Sequence, residues 1–241
     1  MINGSYAAVS AQLALQRRLD TIANNVANAS TSGFRAEQVR FTTVQSPNAE
    51  PATDFASTGQ TYLSTAPGEI VRTDNPFDVA VDGAAWIAVG TSSGRAYTRD
   101  GRLQIAPTGE LRTITGHSVL DPGGSPLLLN PADGPPAIGR DGSIMQAKRQ
   151  VGAIGLFGFD PSARYTRGAD VTVVTDAQPI PLVDTSTVGL RQGFQERSNV
   201  NPITEMSKLI LDQRLFEAVT TAIGDIEQTR LGALRTLGGG Q

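Results

Sequence analysis

The sequence has 241 residues, of which 39% are hydrophobic and 18% are charged, enough for one large or two small domains. Its 20 basic and 23 acidic residues give a formal net charge of −3, which argues against a general nucleic-acid or anionic-membrane surface. It contains no cysteine, so disulfides, thiol catalysis and thiolate metal sites are excluded.

The first 28 residues have the pattern of an amphipathic helix. Two apolar stripes with steps of three and four residues follow one another, Ile2, Tyr6, Val9 and Leu13, then Leu15, Leu19, Ile22 and Val26. This spacing is typical of a coiled-coil-like seam. The segment lacks the charged start and apolar core of a secretory signal, so we expect no cleaved signal peptide.

Three asparagines, Asn24, Asn25 and Asn28, lie at the end of this helix. Their side chains compete for backbone hydrogen bonds, and the turn residues 30–33 follow them, so one interpretation is an ordinary helix stop. The other is a polar layer that fixes the register between packed helices, as a buried Asn does in coiled coils. The sequence leaves both interpretations open.

The middle of the chain changes from extended to β patterning. Residues 37–75 are rich in Ser, Thr and Pro and predict an extended linker with one or two short strands. Residues 76–192 contain short strand patterns about every 8–12 residues, which favours a sandwich or barrel-like β domain. The Asp100-Gly101 and Asp141-Gly142 dipeptides predict hairpins. The predicted strands are 78–82, 86–90, 95–99, 102–105, 110–114, 118–120, 127–129, 143–146 and 151–159.

Residues 193–241 contain the longest helical pattern. Ser198 or Asn201 suits the N-cap, Pro202 suits the first turn, and the glycines at 238–240 favour the end. A helix of this length spans roughly 55 Å, more than its own chain covers unless a second long helix lies beside it. Its apolar positions, again three or four residues apart or seven where a turn is skipped, are Ile203, Met206, Leu209 or Ile210, Phe216, Val219, Ile223, Ile226, Leu234 and Leu237.

The predicted fold class is therefore α+β. Long N- and C-terminal helices, in the ranges 1–36 and 193–241, are expected to form a coiled-coil-like stem, with the linker 37–75 and the all-β domain 76–192 between them. The helices are expected to pair with each other or with neighbouring molecules. Ordering each backbone residue costs roughly 1–2 kcal/mol, so we also expect residues 1–35 and 195–241 to be poorly ordered in the monomer.

The sequence shows no arrangement of residues typical of catalysis. His117 is the single histidine and lies in a predicted turn, so a catalytic triad or a histidine zinc site would lack partners. The Gly-rich run 121–125 has no Lys-Ser/Thr after it, as a phosphate-binding loop requires. We therefore predict no catalytic residue, metal site or cofactor, and no enzyme.

Four segments of the chain resemble the axial proteins of the bacterial flagellum. They are ANNVANASTSGFR (23–35), NPFDVAVDG (75–83), GRAYTRDGRLQIAPTGELRTITGHSVL (94–120) and SNVNPITEMSKLILDQRLFEA (198–218). They cover the chain from end to end in the family's order. One departure is Gly83-Ala84-Ala85-Trp86-Ile87, where the family often has Gly-x-Gly followed by two aromatic residues.

The resemblance implies a structural subunit of the basal-body rod that is exported unfolded by the flagellar export apparatus and polymerises helically in the periplasm. Its partners would be copies of itself and neighbouring rod proteins, and the assembly would transmit torque. Chain length and the linker residues 59–81 favour a proximal-type over a distal rod protein. The predicted assembly interface is Tyr6, Val9, Leu13, Leu19, Ile22, Asn24, Asn25, Val26, Asn28, Ile203, Met206, Leu209, Ile210, Gln213, Phe216, Val219, Ile223 and Ile226.

An alternative from another class is a secreted carbohydrate-binding β domain with oligomerising helices. An aromatic-lined groove would favour that function. The single tryptophan, Trp86, and only four tyrosines argue against it.

Overall fold

A computed structural model describes residues 2–45, 54–57, 59–160, 163–182 and 187–238. Within them the chain is α+β, with two α-helices and 20 strands arranged in open sheets. Backbone contacts divide it into two compact units. Unit 1 comprises Met1–Ala27, Glu37–Tyr62 and Asn201–Gln241, and unit 2 comprises Asn28–Ala36 and Leu63–Val200.

Unit 1 contains both helices, α1 (Ile2–Ala27) and α2 (Pro202–Gly238). Asn201 caps α2, because its Oδ1 accepts hydrogen bonds from the backbone N–H groups of Ile203 and Thr204 at 3.1 and 3.2 Å, which confirms the predicted cap. The helix continues to Gly238; the predicted stop residues 239 and 240 lie outside the described residues. Residues 193–201, which the sequence grouped with the helix, contain a strand instead.

Four strands in the predicted linker form two small sheets of two strands each. β1 pairs with β4, and β2 pairs antiparallel with β3. Cross-strand side-chain contacts support the first pair, since the Tyr62 hydroxyl lies 2.6 Å from Gln38 Oε1 and the Arg40 guanidinium lies 5.5 Å from the Tyr62 ring. The strands are β1 (Glu37–Arg40), β2 (Thr43–Gln45), β3 (Asp54–Ala56) and β4 (Gln60–Leu63).

Unit 2 is built of the remaining strands and one 3₁₀ turn (Pro131–Asp133). Its strands are β5 (Ile70–Arg72), β6 (Val79–Asp82), β7 (Trp86–Thr91), β8 (Gly94–Thr98), β9 (Leu103–Ile105), β10 (Leu111–Thr113), β11 (Ser118–Val119), β12 (Ala137–Ile138), β13 (Ser143–Gln146), β14 (Arg149–Ala153), β15 (Leu156–Gly158), β16 (Tyr165–Arg167), β17 (Thr172–Thr175), β18 (Ile180–Pro181), β19 (Gly189–Gln192) and β20 (Phe194–Glu196). The largest sheet has the order β16-β17-β8-β7-β11-β10-β9, and β15 joins it by pairing with β7 and β18. Smaller sheets are β12-β13-β14, β19-β6 and β20-β5.

Strand β7 lies at the centre of the unit 2 core and is buried on both faces. Ile87 and Val89 point into one apolar cluster, while Trp86 and Ala88 point into another. Successive side chains of a strand point to opposite faces, so one short apolar run supplies both clusters. This arrangement explains why Trp86-Ile87-Ala88-Val89 reads as a continuous apolar segment rather than an alternating one.

The prediction of a hairpin at Asp100-Gly101 is wrong. β8 pairs with β7 and β17, whereas β9 pairs with β10 at the other end of the largest sheet. Gly101 instead packs against β6: its carbonyl accepts a hydrogen bond from Val79 N, and a Cβ at this position would lie 1.7 Å from Val79 O. The glycine is therefore needed for close backbone approach and not for a hairpin turn.

Three other β predictions had different outcomes. The Asp141-Gly142 turn does connect paired strands, β12 and β13, and that hairpin is confirmed. Leu128 in the predicted strand 127–129 makes only an isolated bridge to Glu110. The predicted linker contains more strands than the one or two expected.

Replacement of a β7 core residue tests this packing. Ile87 is fully buried, so Ile87→Ala should lower the free energy of unfolding by about 2–5 kcal/mol, because it leaves a cavity between packed side chains. Urea unfolding followed by Trp86 fluorescence measures this loss. Ile114→Ala is the control, since Ile114 is 56% exposed and its truncation should cost less than about 0.5 kcal/mol. Equal losses for the two variants would contradict the assignment of β7 to the core.

Candidate assembly interface

The two helices of unit 1 lie side by side and antiparallel. Among the polar contacts between them in the described residues, three join positions that decrease along α1 as they increase along α2, as expected for antiparallel helices. Two of the contacts are one heptad apart on each helix, which is the repeat of paired helices. The contacts are Asn25 Nδ2 to Glu205 Oε2 at 3.2 Å, Arg18 Nε to Asp212 Oδ2 at 2.8 Å, and Gln12 Nε2 to Thr220 Oγ1 at 3.1 Å.

Asn25 is the most connected residue of this seam. Its side chain is buried; Oδ1 accepts a hydrogen bond from Glu37 N at 2.9 Å, and Nδ2 donates to Glu37 O at 2.8 Å and to Glu205 Oε2. Glu205 also pairs with Lys208 Nζ at 2.5 Å. Asn25 therefore ties α1 to β1 and to α2 within one chain, two residues before α1 ends.

The second polar layer contains a buried acid. Asp212 is fully buried, and its carboxylate pairs with Arg18, whose side chain is 45% exposed. A buried carboxylate is costly unless a cation or hydrogen-bond donor compensates it, so Arg18 has to stay in this position on α1. The seam between the helices thus depends on charge and hydrogen bonding as much as on apolar contact.

Large apolar side chains lie on the outer faces of the same two helices. Ile203 is 78% exposed, Tyr6 63% and Leu13 61%. A soluble protein rarely exposes contiguous apolar residues at helical spacing unless another molecule covers them. We call this surface the outer face; it comprises Tyr6, Val9 and Leu13 on α1 and Ile203, Met206, Ile210, Leu211, Leu215, Ile226 and Leu231 on α2.

The predicted interface residues are divided between the seam and the exposed surfaces. Exposed are Tyr6, Val9, Leu13, Asn24, Ile203, Met206, Ile210, Gln213 and Ile226. Buried or half-buried within unit 1 are Leu19, Ile22, Asn25, Val26, Leu209, Phe216, Val219 and Ile223. Asn28 is half-buried and belongs to unit 2. Tyr6, Val9 and Leu13 of the first apolar stripe of α1 are therefore exposed, whereas the residues of the second stripe are buried or half-buried.

Sequence reasoning missed the ionic members of the seam. Neither Glu205, Asp212 nor Arg18 is among the interface residues that the sequence predicts. The signal was the seven-residue step from Glu205 to Asp212, on the same face as Leu209 and Phe216. Acids at such positions look like interruptions of an apolar stripe until the basic partner on the other helix is known.

Unit 2 contains a cavity of about 800 Å³ that bears on the carbohydrate alternative. Three aromatic residues, Trp86, Phe159 and Tyr165, are among those that line it. The Trp86 ring is only 7% exposed; it packs on Tyr165 at 5.5 Å between ring centres and has the guanidinium groups of Arg35 and Arg99 each 5.8 Å away. The ring is occupied by these contacts and does not offer an open platform on which a sugar could stack.

Comparison with known protein families identifies the chain. One family model, described as "Flagella basal body rod protein", matches residues 6–35, and another, "Flagellar basal body rod FlgEFG protein C-terminal", matches 191–234. The flagellar basal-body rod protein FlgF of Mesorhizobium japonicum is 48% identical over 238 residues, covering 99% of both chains. The chain belongs to the flagellar basal-body rod protein family. It is a structural subunit of the rod and not an enzyme.

Other relatives confirm the resemblance found in the sequence. The FlgF of Rhizobium meliloti is 44% identical over 99% of both chains, whereas the FlgG of Bacillus subtilis is 31% identical over 90% of this chain and 92% of its own. The chain is therefore most similar to the FlgF branch among these three relatives, as its linker indicated. Membership of the family places the protein in the flagellum, in assembly with other rod proteins.

Neither α1 nor α2, over the described residues, combines the length and the apolar character that a membrane-spanning helix needs.

Replacement of Asn25 tests the seam. Asn25→Ala should destabilise unit 1 by about 1–3 kcal/mol, because it removes a buried side chain and leaves the part-buried Glu37 N–H without its acceptor. Hydrogen exchange at the Glu37 amide should accelerate accordingly. Gln16→Ala, at an exposed position of the same helix, is the matched control and should leave this amide unchanged. Unchanged exchange in both variants would exclude the seam role of Asn25.

Proposed function

We propose that the chain polymerises helically through α1 and α2 in the periplasmic part of the basal body and transmits motor torque. The observation that carries this proposal is the outer face, an apolar surface exposed on both long helices. The two helices pair through polar contacts and through part of their apolar side chains, and the residues of the outer face remain available to other molecules. Copies of this chain and neighbouring rod proteins are the proposed partners.

Burial of the outer face supplies a driving force for assembly. Covering a side chain such as Ile203 or Met206 contributes roughly 1.5–3 kcal/mol. Several such residues along two helices offset the entropy of fixing a subunit in a filament. Contacts between different surfaces of successive subunits do not close into a ring, and they produce a helical filament.

The finer architecture belongs to the same proposal. The heptad spacing of the polar pairs supports a coiled-coil-like stem formed by α1 and α2. The two apolar clusters on opposite faces of β7 support a sandwich-like packing of the β domain. The domain ranges 1–36, 37–75, 76–192 and 193–241 remain our prediction for how the sequence is organised.

Export is proposed from the family resemblance. The flagellar export apparatus would carry the chain unfolded and without cleavage of a signal peptide. Helices that leave large apolar side chains exposed gain little by folding alone, so α1 and α2 would be poorly ordered in the free subunit and become helical on assembly. Such a subunit would remain soluble until it reached the growing rod.

A charge on the outer face tests assembly directly. Met206 is 54% exposed, so Met206→Asp should leave the monomer intact while raising the concentration needed for polymerisation roughly tenfold or more, because the carboxylate would be buried between subunits. Light scattering against concentration measures the change. Ser207→Asp, at the next exposed position of α2, adds the same charge beside the outer face and is the control. Equal effects of both substitutions would reject the outer face as the interface.

The coupling between folding and assembly has a separate measurement. Circular dichroism recorded with rising protein concentration, alone and with other rod proteins, should show helix content increasing together with light scattering. Limited proteolysis of the dilute chain should cut first within α1 and α2, whereas residues 28–35 and 195–200, expected from the sequence to be poorly ordered as well, belong to unit 2 and should resist. A dilute monomer with full helix content and resistant ends would contradict folding on assembly.

A further inference from the structure

A buried group of three charges lies within unit 2. Glu196 Oε1 pairs with Arg35 at 2.8 Å, and Glu196 Oε2 pairs with Arg99 at 2.9 Å. The glutamate side chain is 1% exposed, and the two arginine side chains are 3% and 4% exposed. Three segments that are distant in the sequence therefore meet at one carboxylate.

Glu196 is the only acid within ion-pair distance of either arginine among the described residues. Burial lowers the pKa of Arg99 to about 10; the Glu196 carboxylate opposes this shift and the nearby Arg35 adds to it. Burial likewise lowers the pKa of Arg35, and Glu196 opposes that shift as well. Without this carboxylate, two like charges would be buried together, which is strongly unfavourable.

The segment Asn28–Ala36 is held by the same part of the chain that carries Glu196. Gly33 N donates to the Glu196 carbonyl at 2.8 Å, and Ala36 N donates to Asn199 Oδ1 at 2.7 Å. Gly33 has a φ of +69°, and a Cβ there would lie 2.3 Å from Asp100 N, so this turn fits closely against the residue that follows Arg99. The turn at Gly33 therefore packs against both the segment that contains Arg99 and Asp100 and the last strand, β20.

The segment around β5 depends on the last strand too. β20 pairs with β5, with Glu196 opposite Ile70, and Gly68 N donates to Glu196 Oε1 at 2.8 Å. Asn199 Nδ2 donates to Ala66 O at 2.8 Å. Both the backbone and the side chain of Glu196 therefore fix residues that precede β6.

We infer that Glu196 is a closing latch for unit 2, a carboxylate near the C-terminal end of the unit that holds the arginine pair, the N-terminal turn and the β5 segment together. Residues 194–199 form the last strand and loop of the unit. A chain that is made from the N-terminus onward therefore lacks Glu196 until nearly all of unit 2 is present. In the incomplete chain, the two arginines, the N-terminal turn and the β5 segment are therefore not held together until β20 has been added. This inference does not rest on the proposed function, because it concerns a single chain.

The test uses the full-length chain with Glu196→Gln, which removes the charge and keeps the shape of the side chain. Hydrogen exchange should accelerate roughly 100-fold or more at the amides of Gly33 and Ser64 together. Ser64 is informative because its N–H donates to Ala36 O and does not touch Glu196. Glu69→Gln is the matched control, since Glu69 lies beside β5 and is 72% exposed in its ion pair with Arg197, so that exchange should change less than about threefold.

The outcomes separate a latch from an ordinary strand contact. Acceleration limited to Gly68, or equal exchange in the Glu196 and Glu69 variants, would overturn the latch. If Glu196→Gln does not fold, the triple variant Arg35→Met, Arg99→Met and Glu196→Met removes all three charges. Cooperative urea unfolding of the triple variant, followed by Trp86 fluorescence, would show that Glu196→Gln fails because it leaves two buried arginine charges without a counter-charge. That result supports the latch. Failure of both variants to fold would contradict the electrostatic basis.

Discussion

The pairing of Asp212 with Arg18 is the constraint on which the arrangement of the terminal helices depends. A fully buried carboxylate on α2 requires its cation at one height of α1, and Asn25 with Glu205 repeats the requirement one heptad away. A shift of either helix along its axis would separate both pairs at once. Polar contacts therefore set the register of the helices, which leaves several of their larger apolar side chains to face outward.

The presence of polar pairs in the seam and of exposed apolar residues on the outer face suits a subunit of the proposed filament. In the proposed filament, the polar pairs of the seam would fix the register of the two helices, while the outer face would supply apolar area to bury between subunits. Unit 2 relies on a different balance, with apolar clusters on both faces of β7 and three charges collected at Glu196. In both units, the buried charges therefore join segments that are far apart in the sequence.

Much of this architecture could be predicted from the sequence. The three- and four-residue spacing of apolar residues predicted the two helices, and Asn201 predicted the start of α2. The continuous apolar run at Trp86 indicated a buried strand. The prediction of a hairpin at Asp100-Gly101 was wrong because a glycine that allows close approach to Val79 cannot be distinguished, in the sequence, from a glycine in a turn. The strands of the linker were underestimated because their pairing depends on partners such as Gln38 and Tyr62, far apart in the sequence. Arg18 and Asp212 were missed for the same reason, since each looks like a solvated residue until its partner is known.

The unequal lengths of the helices have a further consequence. α1 has 26 residues and α2 has 37, and Gln12 already lies beside Thr220, so the C-terminal turns of α2 extend past the start of α1. The exposed Leu231 is carried toward this overhanging end, which has no equivalent at the other end of the pair. A stack of such pairs, all in the same direction, would present a projecting helix at one end and not at the other. The proposed filament would therefore have a polarity, with different surfaces at its two tips.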